Sequence, residues 1–354
     1  MKWEKSVTFG DIAKHTNFSK TTISRYFNDP DSLTVENQQI IAQALADLNY
    51  KENKVARILA SGRTEFVGVI VPNLFFHFYS EMLNQILATY EEFGYKFLVF
   101  ISNGQEEAER RYIQELMAYK IEGLIVLTHT IPSRELAELS IPLVTIERED
   151  RHVCSVNTDN YQGGRLAAEL LASHGCEILF HINYLTAPDA KDVPAHGRIH
   201  GFVDYCKKQG QKYELLFKEM EDTHESFQRS MADILENLTA AYGQRKKGIF
   251  ISNDTQANIF LNLLVRKYGR MPDDFLLVGF DNSPISREAV IPISTVGQQI
   301  DKIAYEAVSL LVEQMNEQKK RRPVPLTEPI HKIITPVLLK RETTEIGLRA
   351  QSFR

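Results

Sequence analysis

Cysteine is scarce in this 354-residue chain: three residues, Cys154, Cys176 and Cys206, lie far apart and without metal-site spacing. An odd, scattered set suits reduced thiols in a cytoplasm better than a disulfide framework. Long apolar runs are also missing, so no segment approaches membrane-spanning length. The opening Met1-Lys2-Trp3-Glu4-Lys5 leads into no apolar stretch of a secretory signal, and the expectation is a cytoplasmic protein with no membrane partner. Positive charge is not in excess. A formal net charge of -5 argues against a protein coated with cations for unspecific nucleic-acid binding. Neither a low-complexity tract nor a short tandem repeat occurs. There is no Gly-x-Ser-x-Gly elbow, P-loop, His-Glu-x-x-His site or dinucleotide fingerprint, so neither an enzyme nor a cofactor is expected.

What is present begins with a small helical head. The length calls for two or three domains. In residues 7–14, Thr8 can cap a helix and Asp11, three residues on, closes the capping box. Thr16-Asn17-Phe18-Ser19 reads as a tight turn, and Ser19 can cap a second helix running through Tyr26. Ile12, Ala13, Phe18, Ile23 and Phe27 can fill a little core, which leaves Lys20, Thr21 and Arg25 outward, where a recognition helix meets the major groove. Thr8, Ser19, Thr22, Ser24 and Asn28 complete the candidate DNA-facing set on this head. A third helix should run from a Thr34 cap to Leu48, with apolar residues three and four apart. The head and its linker hold Lys2, Lys5, Lys14, Lys20, Arg25, Lys51, Lys54, Arg57 and Arg63. This modest basic excess makes a dimer, which doubles the phosphate contacts, the physical expectation.

A linker follows, in which Asn53 can cap a short helix through Ala60. A helix so short is marginal in water and should fold only against DNA or its twin. From Phe66 onward, apolar strands alternate with amphipathic helices: strands at 67–71, 95–101, 123–127 and 142–147, then again at 177–182, 248–252 and 275–280. Two successive sets of β-α units imply two parallel-sheet subdomains. A helix at 300–315 and a strand at 333–339 could complete both. The basic run Lys319-Lys320-Arg321-Arg322, just before Pro323, reads as a solvated loop, and its distance from the head argues against extra DNA contact.

The head, together with Asp159-Asn160-Tyr161-Gln162-Gly163-Gly164, Arg198-Ile199-His200-Gly201-Phe202, Ser252-Asn253-Asp254, Val278-Gly279-Phe280-Asp281 and Leu339 to Thr344, resembles the LacI/GalR family of bacterial transcription regulators over nearly the whole chain. The resemblance implies a three-helix helix-turn-helix DNA-binding domain (1–52), a hinge helix and linker (53–64), and a two-lobed periplasmic-binding-protein-like core (65–343) before a short tail (344–354). The expected lobes are 65–158 with 295–325, and 159–293 with 328–343. It implies that Leu59 wedges into the minor groove, with Val55 and Ala56 at the paired hinge surface. It implies that Lys20 and Thr21 discriminate bases, and Arg25 is the best bidentate candidate for a guanine. Two positions depart from the family pattern. Asn17 stands where glycine is common, and Glu52 replaces the proline that usually precedes the hinge asparagine.

A ligand between two such lobes sits at the carboxyl ends of strands, where Glu147, Arg198, Asn253, Asp281 and Gln298 are the candidates. An arginine fork and a carboxylate can bind adjacent sugar hydroxyls; alternatively Arg198 and Asp281 pair with each other across the cleft. In the run Phe75-Phe76-His77-Phe78-Tyr79, residues Phe76 and Phe78 or Tyr79 could form one cleft wall, the alternative being core packing. A phosphorylated ligand would call on Lys191, His196 and Arg148. The expected protein is a homodimeric repressor of carbohydrate-use genes that binds a pseudo-palindromic double-stranded operator and is controlled by a sugar or sugar derivative. Its rivals are a regulator controlled by a protein corepressor, a sugar receptor without DNA work, and a sugar-metabolising enzyme.

Overall fold

The computed structural model describes residues 7–51, 58, 63–148, 151–184, 195–218, 223–324 and 326–345. The chain divides into two compact units, Met1–Thr64 and Glu65–Arg354. Glu52, Asn53, Val55, Ala56, Leu59 and Lys191 lie outside the described residues. Among the described residues no helix is long and apolar enough to cross a membrane.

In the first unit, α1 (Phe9–Thr16), α2 (Lys20–Asn28) and α3 (Val35–Asp47) follow the expected order. The Asp11 carboxylate accepts the Thr8 backbone N–H at 2.9 Å and the Thr8 hydroxyl at 2.7 Å. This satisfies a donor that a helix start would otherwise leave open. Asn17 ends α1 at φ 57, the left-handed conformation that asparagine tolerates where most residues do not. The chain thereby turns into Ser19, whose hydroxyl accepts the N–H of Thr22 at 3.0 Å. Thr34 caps α3 through the N–H of Asn37. The buried centre is small: Ile12, Ile23, Ile41 and Ala44. Ala13, Phe18 and Phe27, expected inside, are only half-buried around it, because helices of about two turns have no room for more than one central residue each. Phe27 instead stacks on Phe9 at 5.1 Å, with Tyr50 tilted against it at 5.8 Å.

The second unit holds two six-stranded sheets. One is built from β1 (Phe66–Val71), β2 (Lys96–Ile101), β3 (Gly123–Val126), β4 (Leu143–Ile146), β5 (Cys154–Thr158) and β11 (His331–Ile334), in the order 2-1-3-4-5-11 and parallel throughout. The other is built from β6 (Ile178–Tyr184), β7 (Tyr213–Lys218), β8 (Lys247–Ile251), β9 (Phe275–Asp281), β10 (Ser294–Gly297) and β12 (Val337–Leu339). Its order is 7-6-8-9-10-12, with only β12 antiparallel. Each sheet carries an apolar cluster on both faces, as parallel sheets require.

The expected lobe boundaries need correction. Residues 294–297 pair within the second sheet, not the first. The single strand expected over 333–339 is two strands, one in each sheet, broken at Thr335-Pro336. Proline has no N–H for a ladder, so pairing stops there and the chain can change sheets. The chain thus passes between lobes three times, after β5, β10 and β11. The crossings are tied together: the Thr158 hydroxyl donates to Gln298 Oε1 at 2.6 Å, and Gln299 Nε2 donates to the Thr335 carbonyl at 2.8 Å.

Two glycines set the packing that carries the cleft. A Cβ on Gly164 would lie 1.9 Å from the Arg198 carbonyl oxygen, and one on Gly201 would lie 1.9 Å from that of Tyr161. The helices Asn160–Ser173 and Ala195–Gln209 therefore touch backbone to backbone.

Candidate functional site

On the head, Thr8, Ser19, Lys20, Thr21 and Arg25 are exposed, and Thr22 and Ser24 are half-buried. Asn28 is the last residue of α2. The Ser19 and Thr22 hydroxyls are 2.8 Å apart, so both serve the start of α2. Exposed Lys20, Thr21 and Arg25 on a helix preceded by a tight turn have the residue chemistry and the exposure needed to read base edges.

In the core, Glu147, Asn253, Asp281 and Gln298 end or follow strands and Arg198 lies on the helix Ala195–Gln209; all are buried, and contacts join Arg198 to Glu147 and Asp281 to Gln298. Glu147 follows β4 at φ 52, Asp281 ends β9 at φ 108, and Asn282 follows it at φ 60. Three non-glycine residues in left-handed backbone at strand ends mark a place where conformation is imposed by surroundings. Arg198 donates from Nε to Asn160 Oδ1 at 2.7 Å and from Nη1 to the Ser252 carbonyl at 2.6 Å. Its Nη2 lies 3.9 Å from Glu147 Oε2, and its guanidinium carbon lies 3.6 Å from the centre of the Phe280 ring. The Glu147 carboxylate also accepts the Thr158 N–H and Asn160 Nδ2. Glu147 belongs to the first lobe and Arg198 to the second, so this ion pair crosses the cleft. The pairing of Arg198 with Asp281, one of the alternatives, is replaced by pairing with Glu147.

Asp281 instead accepts Gln298 Nε2 at 2.7 Å. Burial pushes its pKa up to about 7, against the opposing pull of the Arg198 charge and the Gln298 hydrogen bond, while Glu147 adds to the rise. Asp254 holds the turn after β9, accepting the Ser283 N–H at 2.9 Å and the Thr295 hydroxyl at 2.8 Å. Its pKa also lies well above the usual carboxylate range, first because of burial and then because of Asp281. Asn253 caps the helix Asp254–Tyr268 through its Oδ1, which accepts the Gln256 N–H at 2.9 Å.

Of the aromatic run, Phe76 and Phe78 take the core-packing alternative. Phe78, Met82 and Ile86 recur at helical spacing on the buried face of the helix His77–Ala88, so Phe78 packs in the first lobe's core. Phe76 precedes that helix in extended backbone and packs among core residues of the second lobe, edge-on to Phe227 at 5.6 Å. Phe75 stacks on Phe227 at 5.5 Å, and His77 Nδ1 lies 2.9 Å from the Thr255 hydroxyl. Tyr79 is half-buried against both cores. These are contacts that close the lobes on each other.

Arg148 is not available to a phosphate: its guanidinium donates to the carbonyls of Thr128 and Ile131. His196 is half-buried, its pKa lowered by burial and by His200.

Sequence reasoning missed Asn160, Ser252, Thr158 and Asp254, which hold or orient the charged groups. The first, second and fourth sit inside segments that carried the family resemblance, where their polar type next to helix starts was the available signal.

Comparison with known proteins matches residues 8–53 to a family described as bacterial regulatory proteins, lacI family. Residues 64–239 match periplasmic binding proteins and sugar binding domain of LacI family, and residues 153–335 match a periplasmic binding protein-like domain. A ribose operon repressor of Halalkalibacterium halodurans is 28% identical over 348 residues, 98% of this chain and 99% of the relative. A sucrose operon repressor of Streptococcus mutans is 27% identical, covering 87% of this chain and 92% of the relative. Among solved structures, the Lac repressor dimer bound to operator and an anti-inducer superposes with a TM-score of 0.79 at 21% identity, covering 96% of this chain and 99% of that one. A transcriptional regulator complexed with cellobiose gives 0.64 at 22% identity, covering 95% and 99%.

Proposed function

Since this chain belongs to the LacI family of bacterial regulatory proteins, we propose that it is a homodimeric repressor of carbohydrate-use genes whose operator affinity is set by a sugar-like effector bound between the core lobes. The observation that carries the effector reading is the buried Arg198 clamp. Its guanidinium holds Asn160, the Ser252 carbonyl and Glu147 at once, while Asp281 and Gln298 form a second donor and acceptor pair beside it. In the structure these groups satisfy one another. A sugar's hydroxyls can replace each partner in turn, since a hydroxyl both donates and accepts. Buried polar groups of this kind tolerate a ligand only if it returns their hydrogen bonds.

On the head, Lys20, Thr21 and Arg25 read base edges, with Thr8, Ser19, Thr22, Ser24 and Asn28 beside them. The hinge residues Asn53, Val55, Ala56 and Leu59 enter the minor groove. Two-fold pairing calls for a pseudo-palindromic operator.

The test joins both ends. Thermal unfolding is followed against a panel of neutral sugars, amino sugars and sugar acids, and operator duplexes are selected by the protein from a random pool. One sugar should raise the melting temperature in proportion to the logarithm of its concentration above the dissociation constant and shift operator affinity. Arg25→Ala should cost about 1–3 kcal/mol of discrimination on that operator, and Arg198→Ala should abolish the response to the sugar. An Arg198→Ala protein that responds at the same sugar concentration would remove the cleft assignment.

A further inference from the structure

The basic run that follows the helix Ile300–Gln318 is remote from the head in sequence but not from the place where the linker joins the core. Lys319 Nζ lies 2.6 Å from Glu122 Oε2 and donates to the Tyr95 hydroxyl at 2.9 Å. The other Glu122 oxygen accepts the backbone N–H of Glu65 at 2.8 Å. Glu65 is the first residue of the core unit, and its own carboxylate pairs with Lys96 at 2.7 Å. Two side chains therefore connect the end of this helix to the point from which the linker departs.

The turn beyond Lys319 is ordered. Lys320 pairs with Glu317, whose Oε1 accepts the Val324 N–H at 3.0 Å. Lys96, Lys319 and Lys320 each face a glutamate, but Arg321 and Arg322 do not. Both are exposed, and among the described residues no ion pair engages either guanidinium. An ordered turn bearing two uncompensated arginines on an otherwise acidic chain is a local anion-binding surface. The tether to the head is about a dozen residues, at most roughly 40 Å if extended and about half that if helical. That chain length bounds how far DNA held by the head can lie from Glu65, the end of the core that Glu122 and Lys319 tie to the two arginines.

We propose that Arg321 and Arg322 contact backbone phosphates of the duplex flanking the operator half-sites, so that the core itself adds affinity without reading sequence. This rests on the DNA-binding reading above. Phosphate contacts of this kind are charge-assisted and release counterions, and so they are visible as salt dependence.

The experiment uses the full chain and an operator duplex selected by the protein from a random pool. That duplex is prepared trimmed to the half-sites or extended by one helical turn on each side. Binding is measured by fluorescence anisotropy across a salt series. In an Arg321→Gln/Arg322→Gln variant, the slope of log affinity against log salt should become shallower by about 0.9 per lost phosphate, about 3–4 for a dimer, on the extended duplex only. Replacing both arginines by lysine should restore the slope. An unchanged slope on the extended duplex, or an equal loss on the trimmed one, overturns the proposal. So does a variant that binds both duplexes normally but fails to bind an acidic or phosphorylated protein. Arg25→Ala separates the two readings: it should weaken binding to both duplexes alike, and if it leaves both unchanged, the DNA-binding reading fails first. Unaltered thermal unfolding of the variant confirms that the exposed substitutions leave the fold intact.

Discussion

The head and the core place their working residues in opposite environments. In the head, a centre of four buried residues supports an exposed row, and the candidate contacts Lys20, Thr21 and Arg25 meet water until a partner arrives. In the core, Glu147, Arg198, Asp281 and Gln298 are themselves buried and hydrogen-bonded to one another. The first arrangement is stable whatever its outer face carries, so that face is free to specify a sequence. The second makes the recognition groups part of the interior, so ligand binding and lobe geometry share the same hydrogen bonds. A site of the first kind suits a fixed reader, and a site of the second kind suits a switch.

This contrast can be broken most forcefully at Ile23. Ile23→Ala opens a cavity in a centre with no reserve, at a cost of about 2–5 kcal/mol, enough to unfold a small three-helix unit. Calorimetry should show operator binding lost while the core's unfolding transition and its response to sugar persist. A single transition that moves as a whole would mean that the two units do not unfold independently. Gly164→Ala addresses the other side. Its new Cβ meets the Arg198 carbonyl, which no rotamer change can relieve, so the two helices must separate at a cost of about 1–3 kcal/mol or more. Loss of effector response with operator binding retained in its absence is the expected result, whereas an unchanged sugar affinity would show that Arg198 need not be held so closely.

The smallest effect is a pH dependence. The pKa of Asp281 rises from the ordinary 3.8 to about 7 in the fold, so between those values the folded state binds more protons than the unfolded one. Its contribution to stability is therefore full below the unfolded value and is lost as pH rises through about 7. His181, lowered to about 4 by burial, acts in the opposite sense, losing stability as pH falls from 6.5. Comparison of wild type with Asp281→Asn isolates the first contribution. The variant's melting temperature should rise relative to wild type as pH goes from 4 to 7. A constant difference across that range would show that Asp281 is ionised throughout.

Much of the molecule was legible because its cues are local. The Thr8–Asp11 box, the Ser19 and Thr34 caps and the strand rhythm from Phe66 depend on residues a few positions apart. β5, β7 and β10 were missed because short strands with polar residues, such as Cys154–Thr158 and Ser294–Gly297, have no distinctive period. The placement of Phe76 and Phe78 was not legible, because two positions on either side of a helix start face different lobes, and sequence spacing gives no sign of where that start falls.

By itself, the order of residues determined the helical head, the doubled α/β rhythm, the exposed recognition row and the set of polar residues at strand ends. Tertiary structure decided which of them meet. Arg198 takes Glu147 because backbone contact at Gly164 and Gly201 fixes its helix, and the break at Thr335-Pro336 sends the final strands to different sheets. Arg321 and Arg322, more than two hundred and fifty residues from Glu65, come to lie at its end of the core through Lys319 and Glu122. Capping and periodicity act over one or two turns of chain, whereas ion pairs and close packing depend only on distance in space.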